Sequence, residues 1–248
     1  MKLTKQQVIK FTTISAADAD ARQVEFNKYR TFEPNPSLQD RQKVWALWPQ
    51  AQYFDIDSIE GWAGEFEDGL LIIVRGTDSI TDWARDFMFG KKIIPYNGIN
   101  PKILVHDGFL RSYKLIRSYI QKIVSESKSE KVYFFGHSLG AAVIALAALD
   151  IQYNFPQKQI GAIAIGMPNI GNSEFKRSFD RRLPDFTRVE NGSDLISLLP
   201  PVSWGWAQVG HLIHVGKPRR WVPSKSDHNW NLYLESMKTD LKDDDMFS

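Results

Sequence analysis

The chain has 248 residues, 43% hydrophobic and 24% charged, with 16 Gly and 12 Pro. That is the makeup of an ordinary globular protein, large enough for one α/β domain, and it excludes collagenous, low-complexity and disordered chains. Lys and Arg number 31 against 29 Asp and Glu, a formal charge of +2; without a dense basic run, nucleic acid is not an expected partner.

No cysteine is present, which removes disulfides, thiolate metal sites and cysteine nucleophiles and leaves oxygen and nitrogen chemistry. The N-terminal stretch MKLTKQQVIKFTTISAADADARQ never gathers the roughly 7–15 apolar residues of a signal peptide, and nowhere do about 18 apolar residues run together. The expectation is a chain with no transmembrane segment and no visible export signal. Its compartment stays open between the cytoplasm, export by another route and secretion after removal of a leader, and its oligomeric state stays open too.

In chain order, residues 12–32 carry Ile14, Ala17, Ala21 and Val24 at helical spacing and predict a helix packed on a sheet face. Pro34, Pro36 and Pro49 break the chain, and short β-rich runs around an Asp68-Gly69 turn then predict a hairpin. The hairpin leads into residues 70–74, continuously apolar as in a strand covered on both faces. Phe109, Tyr113, Ile116, Ile120, Ile123 and Val124 predict an amphipathic helix over 108–127. A buried strand over 131–135 runs straight into GHSLG and the helix-forming AAVIALAALD. Further strands over 159–166 and 186–190 complete an alternation that predicts a mostly parallel α/β sheet flanked by helices, with residues 1–248 as one domain. The acidic tail LKDDDMFS reads as a frayed end.

Gly136, Ser138 and Gly140 form a G-x-S-x-G nucleophile elbow, in which a strained Ser tops a strand-to-helix turn. The turn brings its flanking residues close together, which glycine permits. A Ser hydroxyl is a poor nucleophile until an imidazole takes its proton, and the imidazole needs an acid to orient it. On this fold the order is Ser, acid, His. That excludes His106, and His137 precedes the Ser with its side chain directed away from it. His211, His214 and His228 remain; the first two sit in the strand-like GHLIHVG, whereas His228 lies in a loop before WNLYLESM, where it can reach over the strand ends. For the acid, Asp150 and Asp180 read as solvated surface positions and Asp185 precedes its strand. Asp194, in the turn ENGSD, falls at the carboxyl edge where α/β sheets place their chemistry, with a helix-cap or Asx-turn role as the competing reading.

An ordered series of motifs across about two thirds of the chain then resembles the class 3 lipase family, which includes the fungal triacylglycerol lipases. The series is VRGTDSITDWARD, VHDGFLRSY, GHSLG, IGMPNIGNSEF, NGSDLISLLPP, HLIHVG and DHNWNLYL. The resemblance implies an α/β-hydrolase fold with Ser138 as nucleophile, Asp194 as acid and His228 as base. It implies an oxyanion hole from Thr77, through N–H and hydroxyl, and the N–H of Leu139. It further implies a lid over residues 80–89, with Trp83, Phe87, Met88 and Phe89 on an apolar side and Asp82, Arg85 and Asp86 on the other. Three departures stand out: Ala141 follows the elbow where many members have Gly, residues 1–50 match no motif, and the cysteines of many secreted members are absent. Trp204 and Trp206, in SWGWAQVG, suit a substrate-facing loop or packing equally.

The expected activity is serine carboxylic-ester hydrolysis of acylglycerols or related lipid esters, with no metal or organic cofactor implied. Whether the substrate is met at a lipid–water interface stays open. The rivals are a phospholipase A or galactolipid acyl hydrolase, an esterase of soluble esters, and a catalytically silent binding module. The complete set Ser138, Asp194, His228 and Thr77 argues against the last.

Overall fold

The structure, a computed structural model, describes residues 1–29, 38–76, 93–95 and 102–242. The expected lid over 80–89, Thr77 and the acidic tail beyond residue 242 lie outside the described residues.

Among the described residues the strands form a seven-stranded sheet in the order β1 (Gln52–Ile56), β2 (Ile59–Phe66), β3 (Gly69–Val74), β6 (Lys131–His137), β7 (Gln159–Ile165), β8 (Thr187–Asn191) and β9 (His211–Val215). The first three pair antiparallel and all later pairings are parallel. The Asp57-Ser58 turn between β1 and β2 holds both residues at positive φ, the twist that a two-residue hairpin favours. A small ribbon of β4 (Ile93–Pro95) and β5 (Leu104–His106) stands apart from the main sheet.

Alternation along the buried strands divides the core into two layers. From β3, Ile72 and Val74 face helices α3 (Asp107–Glu126), α4 (Leu139–Asn154) and α5 (Ser173–Arg182). Leu71 and Ile73 face α1 (Lys5–Tyr29), the segment after α2 (Leu38–Leu47), and α6 (Trp230–Asp240). Helix α4 is buried from Leu139 to Ile151 and is rich in alanine, which lets it lie between the sheet and α3. On α3, Phe109, Ile116, Ile120 and Val124 are fully buried at helical spacing, each worth roughly 1.5–3 kcal/mol of burial.

The first helix begins seven residues before its expected start. Thr4 and Gln7 form a reciprocal cap, Gln7 N–H donating to Thr4 Oγ1 at 3.1 Å and Thr4 N–H to Gln7 Oε1 at 2.9 Å. Its buried face includes Val8, Phe11 and the expected Ile14, whereas Ala17 is only half-buried; the side chains of Ala21 and Val24 lie outside the described ones. Helix α2 was not anticipated at all, because its short segment has no strong apolar period.

Asp150, expected at a solvated position, is buried on α4. Its carboxylate accepts from Arg117 Nη2 at 2.9 Å and Gln121 Nε2 at 2.7 Å, tying α4 to α3. Asp180 is also more than a surface charge: it accepts the Gly210 N–H at 2.8 Å and fixes the entry to β9.

Candidate active site

The parallel strands β6, β7 and β8 end at a common edge, and their carboxyl ends deliver the polar residues. Ser138 sits between β6 and α4 at φ 56° and ψ −124°, a backbone conformation that an L residue adopts only under constraint. Its N–H donates to Ile165 O at 2.9 Å, and its carbonyl starts α4 by accepting from Ala141 at 3.1 Å. The two elbow glycines have separate steric reasons. A Cβ on Gly136 would lie 2.5 Å from the carbonyl oxygen of Gly140, while one on Gly140 would lie 2.2 Å from Val74 O on the neighbouring strand. The end of β3 therefore presses against the elbow: Gly76 passes so close that a Cβ on it would meet Ser138 Cβ at 3.0 Å. Arg75, just before it, is pinned by Asp18 at 2.8 Å and Glu60 at 2.9 Å, which joins α1 and the hairpin to this edge.

Asp194 follows β8 and is buried, as is His228 at the end of a one-turn 3-10 helix, Ser226–His228. His228 Nδ1 lies 2.7 Å from Asp194 Oδ2. A carboxylate can only accept, so Nδ1–H is the donor to Asp194 and Nε2 is the ring nitrogen left free of that contact. Among the described residues, neither His228 Nε2 nor Ser138 Oγ has a hydrogen-bond partner, although both are buried. The other Asp194 oxygen, Oδ1, accepts from the Ile196 N–H at 2.8 Å. The Asx-turn role and the partnership with His228 thus coexist, one oxygen each. Gly166, φ +56°, ends β7 directly under this pair, so close that a Cβ would stand 2.8 Å from His228 Cε1 and 3.0 Å from Asp194 Oδ2. Ser138 reaches the same spot through its bond to the residue before Gly166.

Two further residues hold the pair in place and were not singled out by their motifs. Tyr233 on α6 donates its hydroxyl to Asp194 Oδ2 at 2.6 Å. Burial first, and the Asp194 charge second, hold this phenol well above its ordinary pKa, so it remains a donor. The spacing of Tyr233 and Met237 marks the buried face of α6, and a buried tyrosine hydroxyl there requires a partner. The His137 ring stacks on His228 with centroids 4.4 Å apart and packs on Trp230 at 4.2 Å. Its Nε2 donates to the His228 carbonyl at 3.1 Å, and burial pushes its pKa well below the usual histidine range, leaving it neutral.

Two of the other histidines have structural partners. His106 Nδ1 accepts the Gly108 N–H at 3.1 Å and caps α3, with burial lowering its pKa to about 4. His214 Nε2 donates to Gly192 O at 2.8 Å, and His211 is exposed on β9. Leu139 is the first residue of α4, so its N–H has no partner four residues back within the helix. Trp206 is buried beside His106, ring centroids 5.1 Å apart, whereas Trp204 is half-exposed.

A nucleophile-elbow strand, turn and helix in a mostly parallel sheet, with a His and an Asp supplied from the ends of later strands, define an α/β-hydrolase. The chain belongs to the class 3 lipase family, whose model, Lipase (class 3), matches residues 71–204. The secreted mono- and diacylglycerol lipase MDL3 of Malassezia globosa is 30% identical over 177 residues, covering 66% of this chain and 55% of that protein. A lipase of Rhizomucor miehei is 29% identical over 184 residues, covering 71% of this chain and 48% of that protein. The chain thus spans about half the length of these relatives. Among solved structures, the Rhizomucor miehei triacylglyceride lipase aligns with TM-score 0.68 at 17% identity, covering 96% of this chain and 99% of that one. The lipase of Rhizopus microsporus var. chinensis aligns with TM-score 0.67 at 20% identity, covering 92% and 88%. These likenesses establish the shared fold.

Proposed function

We propose that the chain acts as one hydrolase domain that cleaves carboxylic esters of lipids, acylglycerols foremost, through an acyl-enzyme on Ser138. The observation that carries this reading is a buried Ser138 Oγ at the elbow and a buried His228 Nε2, each without a hydrogen-bond partner among the described residues, with the other His228 nitrogen held by Asp194. Family membership and relatives named as mono- and diacylglycerol lipases support the substrate class.

In the first half-reaction Ser138 Oγ attacks the ester carbonyl carbon as His228 Nε2 takes its proton. Asp194 stabilises the imidazolium. The carbonyl oxygen becomes an oxyanion held by the Leu139 N–H and by Thr77, the latter assigned from the family motif. Collapse breaks the C–O bond to the alcohol, which leaves with the proton from His228. Water then attacks the acyl-enzyme, giving its proton to His228, and collapse returns that proton to Ser138 and releases the fatty acid. Residues 80–89, with Trp83, Phe87, Met88 and Phe89, are proposed as the lid over this site.

A fluorophosphonate probe tests the reading: it should label Ser138 in the native chain and leave Ser138→Ala unlabelled. Hydrolysis of p-nitrophenyl esters beside triglyceride, phospholipid and galactolipid then sets the head group. A native chain that resists the probe and turns over none of these esters refutes the proposal.

A further inference from the structure

The loop between β9 and the His228 turn carries a surface feature that the reaction does not use. Residues 216–225 read GKPRRWVPSK, with Lys217, Arg219, Arg220 and Lys225 and no acid. At its tip Trp221 is fully exposed and Val222 three-quarters exposed, 102% and 75%. Trp221 is the most exposed large apolar side chain among the described residues, and with Val222 beside it the tip presents two adjacent apolar side chains; exposed apolar groups gathered in one place mark interaction sites.

The exposure is built in. The Arg220 N–H donates to Ser193 Oγ at 2.5 Å, the Ser224 N–H to Ser193 O at 2.8 Å, and the Leu195 N–H to Ser224 O at 3.1 Å. Both ends of the tip are thereby fastened to the segment carrying Asp194, and Pro218 and Pro223 stiffen the span between. Arg219 is paired with buried Glu190, and Arg220 with Asp227 at 3.1 Å. Lys217 and Lys225 are exposed and form no ion pair among the described residues. The neighbouring segment adds Leu198, Val202 and Trp204, all at least 39% exposed. A small cavity of about 40 Å³ is lined by Asp194 and Leu198 together with Arg219, Arg220 and Pro223, so Leu198 adjoins the base of the loop.

We propose that this loop is an anchor for an anionic lipid surface, with Trp221 and Val222 entering the headgroup region while Lys217 and Lys225 meet the lipid charge. An amphipathic tip and a basic flank are the two signals that reversible attachment to an anionic bilayer needs. Among the described residues no helix is long and apolar enough to cross a membrane, so attachment of this region is peripheral. The anchor rests on the lipid-ester reading for its purpose, since it lies at the sheet edge that holds Asp194 and His228.

The test is sedimentation with vesicles of ether-linked, hydrolysis-resistant phosphatidylcholine, with and without about a third ether-linked phosphatidylglycerol. The native chain should bind the anionic vesicles at least tenfold more tightly than the neutral ones at low salt. W221S/V222S should lose roughly tenfold or more on the anionic vesicles. K217Q/K225Q should lose about fivefold per lysine, roughly 25-fold together, on anionic vesicles alone. Both variants should keep native kcat/KM on a soluble p-nitrophenyl ester. Equal binding of the native chain to both vesicles, or native affinity in either variant, overturns the anchor. A concentration-dependent dimer that W221S/V222S abolishes, without vesicle binding, also overturns it and makes a second copy the partner. Binding is read without turnover, so failure of the anchor and failure of the hydrolase reading remain separate results.

Discussion

Replacing Gly166 with alanine perturbs the site through one methyl group and no charge. Its Cβ would lie 2.8 Å from His228 Cε1 and 3.0 Å from both His228 Nδ1 and Asp194 Oδ2, where ordinary contact begins at 3.4 Å. The imidazole must therefore give way by about half an ångström, although it is already packed against the stacked His137 ring. The backbone at φ +56° adds roughly 1–2 kcal/mol for a side chain in the left-handed region. Overpacking adds roughly 1–3 kcal/mol, for a total near 2–5 kcal/mol and a fall in Tm of about 4–20 °C. Misplacing a reacting group by about 1 Å costs on the order of 10²-fold, so half that displacement should lower kcat roughly 10-fold to 10²-fold. Gly205 supplies the control, with φ +86° and, among the described residues, nothing within 4 Å of a Cβ. Gly205→Ala should pay only the backbone cost of roughly 1–2 kcal/mol and keep native kcat. The measurements are kcat on a soluble p-nitrophenyl ester and Tm for both variants. If Gly166→Ala loses no more kcat than Gly205→Ala, the crowding of the His–Asp pair has no catalytic meaning and the reasoning fails.

Ser138→Ala and His228→Ala should each lower kcat on the order of 10⁶-fold and Asp194→Asn roughly 10⁴-fold, while His214→Ala stays near native. A tenth of native activity surviving in His228→Ala, with loss in His214→Ala, would reassign the base. Tyr233→Phe removes a hydrogen bond to a buried carboxylate without opening a cavity and should cost about 1.5–3 kcal/mol in urea unfolding; an unchanged midpoint would show that the hydroxyl does not support Asp194. Between pH 6.5 and about 4 the unfolded chain protonates His106 and the folded chain does not, so stability falls as pH drops through that window, by about 1.4 kcal/mol per unit. His137 acts in the same direction; His106→Asn, which can still cap Gly108, should flatten the slope by about that amount in urea midpoints at pH 7, 5.5 and 4.5, and an unaltered slope would refute the linkage.

The parallel half of the sheet was legible because its strands are continuous apolar runs and its helices carry clean periodicity, as in residues 70–74 and Phe109 to Val124. The elbow was legible because its chemistry and its steric demand coincide within five residues. The N-terminal elements were read less well, for a physical reason. Helix α1 starts at a Thr4 and Gln7 cap rather than where an alanine-rich pattern begins, and α2 has no strong apolar stripe. Asp150 illustrates the same limit: nothing local distinguishes a surface aspartate from one that meets Arg117 and Gln121 on another helix.

His137 and Tyr233 were missed because their work is done across the chain, on His228 91 residues away and on Asp194 39 residues away. Local patterns describe what a residue can do with its neighbours in sequence, and they tend to set roles against each other. In the sequence a turn role and an acid role compete for Asp194. A carboxylate has two oxygens, and here Oδ1 takes the Ile196 N–H while Oδ2 faces His228 and Tyr233. The turn contact orients the carboxylate plane, and that orientation is what allows the second oxygen to meet an imidazole arriving from a distant loop. The turn role is therefore a condition of the proposed acid role, and a sequence signal for the first counts in favour of the second.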